Sequence, residues 1–184
     1  MIKERRSVRK YKDEIVDKKT VEDIIEDCRF APSWGNTQTA RYNIITDPKI
    51  INELAEKCVS GFVYNMKTLK HAKNVAVISF VKGKSGAFEK DKAAALGFKD
   101  GYVTSKGSAW EVFDSGIATQ TFCLSAYDHG VGTCILGVIE DENIKKVLSL
   151  PDEETVAVIV TFGYPDETPQ APPRKEVAEL ARFY

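Results

Sequence analysis

The sequence contains few of the residues that bind metals or carry out redox chemistry through thiols. Its four cysteines, Cys28, Cys58, Cys123 and Cys134, lie far apart without a C-x-x-C pair, and there are only two histidines. Zinc sites and thioredoxin-like motifs require closely spaced ligands or thiols. We therefore expect no metal site, and reduced cysteines that serve as small core residues of a cytoplasmic protein.

Long apolar runs and a one-sided charge are also missing. The longest run without a charged residue, 115–127, is shorter than the roughly 18–20 residues of a membrane helix. The opening residues, MIKERR, lack the apolar stretch of a secretory signal. Lysine and arginine total 26 against 27 acidic residues, a net charge of −1. We therefore expect no membrane span and no binding of nucleic acid over the whole surface.

The residues that are present fit one domain over 1–184, because 43% of the 184 residues are hydrophobic. The sequence has no G-x-S-x-G elbow, no H-E-x-x-H, no P-loop and no G-x-G-x-x-G. If the chain is an enzyme, a bound cofactor is therefore expected to supply the reactivity, without a catalytic side chain of the protein's own.

Local patterns predict helices interleaved with a few strands. Thr20 and Asp23 have capping-box spacing in a helix over 18–30, and Ser108 and Glu111 have it at the start of a helix that ends near residue 128. The charge-free part of that second helix predicts burial on nearly all sides, in the core or at a subunit interface. Further helices are expected after Asp47-Pro48 and around 144–148, and strands over 41–46, 75–81 and 156–162. This alternation predicts an α+β or three-layer α/β/α architecture.

Residues 83–108 form a long polar segment with five of the twelve glycines and eight charged residues. Long loops in compact domains are uncommon and often functional. We predict an excursion that covers a site as a lid, and the alternative is a disordered surface loop.

Three further segments have the chemistry to contact a ligand. In the first, Arg5, Arg6, Ser7 and Arg9 can bind a phosphate dianion, although a solvated basic terminus or a nucleic-acid arm has the same composition. The second, APSWGNTQ at 31–38, has amides that can read a planar heterocycle, or it is an ordinary loop after a helix. The third, at 130–137, has glycines that allow close approach of a ligand, or that end a helix.

Taken in order, these segments resemble the nitroreductase family of FMN-dependent oxidoreductases. RRSVRKY is similar to the opening signature of the family, and APSWGNTQ to its APS-x-x-N-x-Q loop. The helix with Asp114 and the following HGVGTCILG resemble its D…A…GLGTC…G region. Arg174, in PPRK, falls where the family keeps a basic pair that binds phosphate.

The resemblance implies a fold and an assembly. The fold is an α+β, nitroreductase-like three-layer α/β/α arrangement with a mostly antiparallel central sheet. The assembly is an intertwined homodimer with two FMN sites at its interface, and residues 176–184 form an arm that reaches onto the partner.

The resemblance also implies the residues of the flavin site. Arg5, Arg6 and Ser7 would hold the phosphate and ribityl end, with Arg174 closing the site. Arg9 would lie beside the flavin N1–C2 carbonyl, and Asn65 at the pyrimidine edge. The backbone at Leu136 and Gly137 would face N5. The residues that approach the flavin from the 31–38 loop, often across the subunit boundary, would be Pro32, Ser33, Asn36 and Gln38. Thr68 departs from the family where some relatives carry a second basic contact.

The implied activity is transfer of hydride from NADH or NADPH, through flavin N5, to a nitroaromatic, quinone or similar small acceptor by a ping-pong mechanism. Phe88, Phe98 and Tyr102 are candidates for the acceptor pocket, or they simply pack the excursion. Reductive dehalogenation, azoline oxidation and flavin binding without turnover remain alternatives on the same fold. A nucleic-acid module that uses the basic N-terminus is an alternative of another class.

Overall fold

The computed structural model describes residues 2–98 and 100–184. The described strands are β1 Ala40–Ile45, β2 Asn74–Val81, β3 Gly132–Leu136 and β4 Glu154–Gly163. The described helices are α1 Lys18–Cys28, α2 Pro48–Lys57, α3 Val63–His71, α4 Lys90–Ala95, α5 Ala109–Asp128, α6 Asp141–Leu148 and α7 Val177–Leu180.

The four strands form one sheet in the order β1-β2-β4-β3, and every neighbouring pair is antiparallel. The central strand β2 is buried from Asn74 to Phe80. Its side chains alternate between two hydrophobic clusters, Val75 and Val77 in one and Ala76 and Ile78 in the other. Helices therefore cover both faces of the sheet. The predicted α+β, three-layer architecture is confirmed.

The two faces of the sheet are covered by different helices. On the side of Ala76, α1 and α5 contribute buried residues such as Ile24 and Phe122. On the side of Val75, α2, α3 and α6 contribute residues such as Leu54, Leu69 and Ile144. The helix α2 begins at Asp47-Pro48 as predicted. The Asp47 carboxylate accepts a hydrogen bond from the Lys49 amide, and Pro48 occupies the first turn, where its missing amide hydrogen is not needed.

Two predicted capping boxes do not form. Asp17 is the residue that caps α1, because its carboxylate lies just before the first turn and can reach the unpaired backbone amides there. It accepts hydrogen bonds from both the amide and the hydroxyl of Thr20. Ser108 makes no side-chain cap bond at the start of α5. Glu111, the other half of that predicted box, instead accepts a hydrogen bond from the amide of Gly83.

The charge-free part of α5, 115–127, was predicted to be buried on nearly all sides, in the core or at a subunit interface. Within the single chain Phe122 and Cys123 are in the core and Gly116 and Gln120 are exposed, and just before the run Val112 and Phe113 are 60% and 58% exposed. The outward residues recur every three or four positions and form one stripe along the helix, which we call the open face of α5. It consists of Val112, Phe113, Gly116, Ile117, Gln120, Thr121 and Leu124.

Residues 83–98 and 100–108, the described part of the polar segment, form what we call the excursion. It contains α4 and a short bridge between Ala87 and Tyr102. The Phe88 amide donates to the Gly101 carbonyl oxygen at 2.9 Å, and the Val103 amide to that of Gly86 at 2.8 Å. The excursion is therefore hydrogen-bonded to itself rather than irregular, and its role as a lid remains a prediction. Position 99 of the predicted lid lies outside the described residues.

The four cysteines are buried and free, as predicted for core residues. Burial raises the pKa of the Cys28 thiol to about 12 and that of Cys58 to about 11. Within 2–98 and 100–184, no group of histidine, cysteine and acidic side chains has the arrangement of a metal site. None of the helices in those ranges has the length and apolar character needed to span a bilayer.

Candidate functional site

The N-terminal segment that carries Arg5 to Arg9 lies along the beginning of β3. The Val8 amide donates to the Thr133 carbonyl oxygen at 2.9 Å, and Ser7 pairs with Thr133 in a parallel bridge. This approach depends on Gly132, because a Cβ atom there would lie 2.8 Å from Cγ2 of Val8. Gly132 thus makes room for the protein's own chain, rather than for a ligand or a helix end.

Tyr11 and Glu167 hold the next part of the segment. The buried Tyr11 hydroxyl lies 2.9 Å from the Thr161 hydroxyl and also contacts the Val8 carbonyl oxygen. Burial raises the pKa of Tyr11, so the phenol keeps its proton and can donate. Glu167 accepts hydrogen bonds from the amides of Arg9 at 2.6 Å and of Lys10 at 3.1 Å. Sequence reasoning missed Glu167, which belongs to no recognisable motif, and gave no role to Tyr11, although Tyr11 is the last residue of RRSVRKY.

Basic residues from the two ends of the chain meet in one cavity of about 240 Å³, which we call the arginine cavity. Its lining contains four arginines, one serine and no carboxylate. The lining residues are Arg5, Arg6, Ser7, Arg9, Pro169, Gln170, Pro172 and Arg174. The structure thus brings together the four predicted phosphate-end residues, of which Arg174 lies far away in the sequence, and it adds Arg9, which was predicted beside the flavin ring, to the same lining.

Among residues 2–98 and 100–184, no guanidinium group of this cavity forms an ion pair within 4.0 Å, and Glu4, in the lining of a neighbouring cavity, interacts with Arg6 only at longer range. Arg6 donates to the carbonyl oxygens of Lys3 and Arg5 at 2.8 Å, and Arg174 to that of Pro172 at 3.2 Å. The guanidinium of Arg5 makes no hydrogen bond or ion pair with any described residue. A cluster of cations held only by neutral acceptors favours an anionic ligand.

A second cavity, of about 400 Å³, adjoins the first and shares Arg5, Arg6 and Pro169 with it. Its other lining residues are Glu4, Val8, Tyr127, Gly130, Val131, Gly132, Thr133, Pro165, Glu167 and Thr168. Small-molecule sites have volumes of about 300–1,000 Å³. The arginine cavity alone is therefore below that range and suits one end of a ligand, whereas the two adjoining cavities reach it.

Asn65, Leu136 and Gly137 meet at the other end of β3. The Asn65 side chain, 7% exposed, donates through Nδ2 to the carbonyl oxygen of Val138 at 3.0 Å. Gly137 is exposed, with open space where a Cβ would lie. A strand rises by about 3.3 Å per residue, so Gly132 and Leu136 are about 13 Å apart. β3 thus connects the arginine side of the site to the Asn65 side.

The direction of the N-terminal segment fits this layout. Because it runs parallel to β3 at Ser7, Arg5 lies toward Gly132 and Arg9 toward Leu136. The positive charges of Arg9 and Arg5 also act on a residue of β3. Burial raises the pKa of the Cys134 thiol, and the two arginines oppose that shift. A cation is therefore available along the path between the two ends of the site.

The 31–38 loop is built around a strained turn. Asn36 and Gln38 have φ values of 57° and 49°, a region that non-glycine residues rarely adopt and that often marks functional sites. The Ser33 hydroxyl oxygen accepts a hydrogen bond from the Gln38 amide at 3.0 Å. Pro32, Ser33 and Gln38 line another cavity of about 240 Å³, which shares no lining residue with the arginine cavity.

Asn36 and Thr68 do not line the cavities described above. Asn36 is exposed and does not line the cavity of its own loop. Thr68, at the position where some relatives carry a basic contact, is buried, and its hydroxyl donates to the Tyr64 carbonyl oxygen at 2.9 Å. This hydroxyl is used within its own helix and does not replace a cation.

The candidates for the acceptor pocket lie on the excursion in different environments. The Phe88 ring packs against Trp34 of the 31–38 loop, with ring centroids 5.5 Å apart, and the Lys92 ammonium lies 4.5 Å from the Phe88 centroid. The Tyr102 hydroxyl donates to Glu111 at 3.3 Å. Phe98 is part-exposed. The excursion therefore contacts the loop that carries Pro32 and Ser33.

Comparison with known proteins gives consistent matches along the chain. A family model described as the nitroreductase family matches residues 2–164. A putative NADH dehydrogenase/NAD(P)H nitroreductase of Archaeoglobus fulgidus is 26% identical over 171 residues, 91% of this chain and 84% of that protein.

Solved structures match over essentially the whole chain. A nitroreductase family protein of Streptococcus pneumoniae TIGR4 matches with a TM-score of 0.81 and 20% identity, over 100% of this chain and 98% of that one. An FMN-dependent nitroreductase of Clostridium difficile R20291 matches with a TM-score of 0.74 and 26% identity, over the same shares.

Proposed function

The chain belongs to the nitroreductase family, and on that premise we propose that it is an oxidoreductase that binds FMN between the arginine cavity and the Asn65 end of β3. Electrons would come from NADH or NADPH and pass by a ping-pong mechanism to a nitroaromatic, a quinone or a similar small acceptor. The names of the relatives support this reading, since one is an NAD(P)H nitroreductase and another an FMN-dependent nitroreductase.

The arginine cavity is the observation that carries the proposal. A phosphate monoester needs several charge-assisted donors at one place, and Arg5, Arg6 and Arg174 share one lining that contains no carboxylate. Ser7 adds a neutral donor in the same lining. The donor set therefore fits the phosphate end of FMN.

When bound, FMN supplies a ring that takes up a hydride and releases it again. The protein's part is to position that ring and to stabilise the charge that gathers on it. Arg9 lines the arginine cavity, where its guanidinium donates to the Ser7 carbonyl oxygen at 3.3 Å, and it would turn toward Leu136 to place a cation near the ring. The Asn65 amide, held by the Val138 carbonyl oxygen, would fix the polar edge beside the backbone at 136–137.

We include a homodimer in the proposal, with the open face of α5 as its centre. This face exposes Val112 and Phe113 on a helix whose middle carries no charge. Burying one phenylalanine contributes about 2 kcal/mol, so a stripe of this length is costly to leave in water. The C-terminal residues Val177, Leu180 and Phe183 are also exposed, which supports an arm at 176–184 that covers the partner.

A dimer would also complete the flavin site. Within one chain, the cavity at Pro32, Ser33 and Gln38 shares no residue with the arginine cavity. If the two chains pack through α5, the loop of one protomer can approach the arginine cavity of its partner. The proposal therefore places one half of each site on each chain.

Loss of the phosphate contacts tests the proposal. We expect the double variant Arg5→Ala, Arg174→Ala to lose bound FMN, with a dissociation constant raised at least about 100-fold, because two charge-assisted contacts of about 1.5–3 kcal/mol each disappear. Flavin fluorescence titration of the FMN-loaded and desalted protein measures this.

The matched control is Lys10→Ala, Lys12→Ala, which removes two cations from the same terminal segment but outside the cavity lining. It should bind FMN as the unmodified chain does. Full FMN occupancy in the Arg5, Arg174 variant would show that the phosphate lies elsewhere. Equal loss in both variants would show that general positive charge, rather than the cavity, attracts the cofactor.

A further inference from the structure

The second turn of α5 joins two segments that are far apart in the sequence. The Asp114 carboxylate accepts a hydrogen bond from the Trp34 amide at 2.9 Å and another from the Ser85 hydroxyl. Trp34 lies in the 31–38 loop and Ser85 in the excursion. Asp114 is 4% exposed, so one buried carboxylate holds both segments at the same place.

Glu111, one turn earlier on the same helix, holds the excursion alone. Its carboxylate accepts hydrogen bonds from the amides of Gly83 and Lys84, the latter at 3.3 Å, and from the Tyr102 hydroxyl at 3.3 Å. It is also 4% exposed. None of its hydrogen bonds involves the 31–38 loop. Glu111 therefore offers a natural comparison for the role of Asp114.

Both carboxylates depend on neutral donors. Among the described residues, neither Glu111 nor Asp114 forms an ion pair. A buried charge without its hydrogen bonds is strongly unfavourable. If the loop or the excursion moved away from α5, Asp114 would lose a donor that no cation replaces. The carboxylate thus favours the arrangement in which both segments are in place.

A ring contact adds a second connection between the same two segments. The centroids of Trp34 and Phe88 are 5.5 Å apart and the rings are tilted, a favourable geometry for an aromatic pair. Trp34 therefore connects the loop to the excursion in two ways. Its ring contacts Phe88 of the excursion, and its backbone amide donates to Asp114, the residue that also binds Ser85 of the excursion.

We propose that Asp114 is a positioning residue that couples the excursion to the 31–38 loop and so sets how the acceptor reaches the flavin site. This inference rests on the proposed function, in which the loop contributes Pro32 and Ser33 to the flavin site. Through Ser85 and Trp34, Asp114 fixes the excursion relative to that loop. Glu111 positions the excursion only.

Amide hydrogen exchange of the FMN-free protein tests the coupling directly. We expect Asp114→Ala to speed exchange by about tenfold or more in peptides that cover Trp34 and in peptides that cover 83–88, because a hydrogen bond to a carboxylate is lost. Glu111→Ala should speed exchange at 83–88 and leave Trp34 protected. The control Asp128→Ala, an exposed carboxylate at the far end of α5, should change neither.

A conservative variant separates positioning from mere stability. The Trp34 amide and the Ser85 hydroxyl both donate to Oδ2 of Asp114, and in Asp114→Asn the amide oxygen can take that place and accept both hydrogen bonds. We expect this variant to restore protection at both segments. In the FMN-loaded protein, Asp114→Ala should raise KM for a quinone acceptor about tenfold and shift the visible circular dichroism of the flavin, and Asp114→Asn should reverse both changes. Glu111→Ala should raise KM without shifting the flavin signal.

Two results would overturn the inference. Unchanged exchange at Trp34 in Asp114→Ala would show that the carboxylate does not hold the loop. Faster exchange at both segments, with unaltered acceptor KM and flavin dichroism, would show an anchor without a role in the site. If the unmodified chain binds no FMN, the proposed function fails, whereas the exchange experiment still tests the coupling on the protein alone.

Discussion

At the scale of residues, the site depends on side chains that hold the N-terminal segment in place. Val8 occupies the space that Gly132 leaves open, and Tyr11 does the same at Gly163, where a Cβ would lie 3.1 Å from its ring. Together with Glu167 they fix the direction of the N-terminal segment. The sequence could indicate that arginines lie close together, but not which neighbours hold them, because those neighbours come from β3, β4 and the segment after β4.

A prediction at this scale concerns the buried thiol of Cys28, whose pKa is raised by burial from 9.0 to about 12. In the unfolded chain this thiol ionises near pH 9, and in the folded chain it keeps its proton. Its contribution to stability is therefore fully present below pH 9 and is lost as the pH rises toward 12. We expect the free energy of unfolding to fall with pH in that window, by about 1 kcal/mol per pH unit from this thiol.

Urea denaturation at about pH 7.5 and pH 10.5 measures this slope. Cys28→Ala should be less stable at neutral pH, because a core side chain is shortened, but its stability should fall less steeply in alkali. Identical slopes for the variant and the unmodified chain would contradict the assignment.

At the scale of elements, α5 combines the core and the surface in one helix. Its inner side packs Phe122 and Cys123 against the sheet, and its first turns hold two buried carboxylates that anchor the excursion. The charge-free run indicated a helix with little contact to water. The run itself did not show which side of the helix is exposed in the single chain, because a helix buried by a partner chain and a helix buried in a core have the same amino-acid composition.

The open face of α5 gives the prediction for this scale. Ile117 lies in the middle of the stripe, and Ile117→Asp should turn the proposed dimer into a monomer, because a charge on an apolar interface costs several kcal/mol when buried. Size-exclusion chromatography with light scattering gives the mass. Asn52→Asp, an exposed position on α2, introduces the same charge away from this face. A dimeric Ile117 variant, or a monomeric unmodified chain, would remove α5 as the interface.

At the scale of the whole molecule, some features could be read from the sequence and others could not. Three of the four strands, β1, β2 and β4, and the Asp47 cap follow from local patterns that the sequence displays directly. The meeting of Arg5 and Arg174 in one cavity was expected only from the order of several motifs. The role of Asp114 was not visible, because it joins residues 34 and 85 through space.

The most direct test of the account follows the visible absorption of the FMN-loaded protein under anaerobic conditions. We expect the absorption band of the oxidised flavin to disappear when NADH or NADPH is added and to return when a quinone or nitroaromatic acceptor follows. A chain that binds no FMN, or one whose bound flavin stays oxidised in excess NADH and NADPH, would contradict the proposed oxidoreductase.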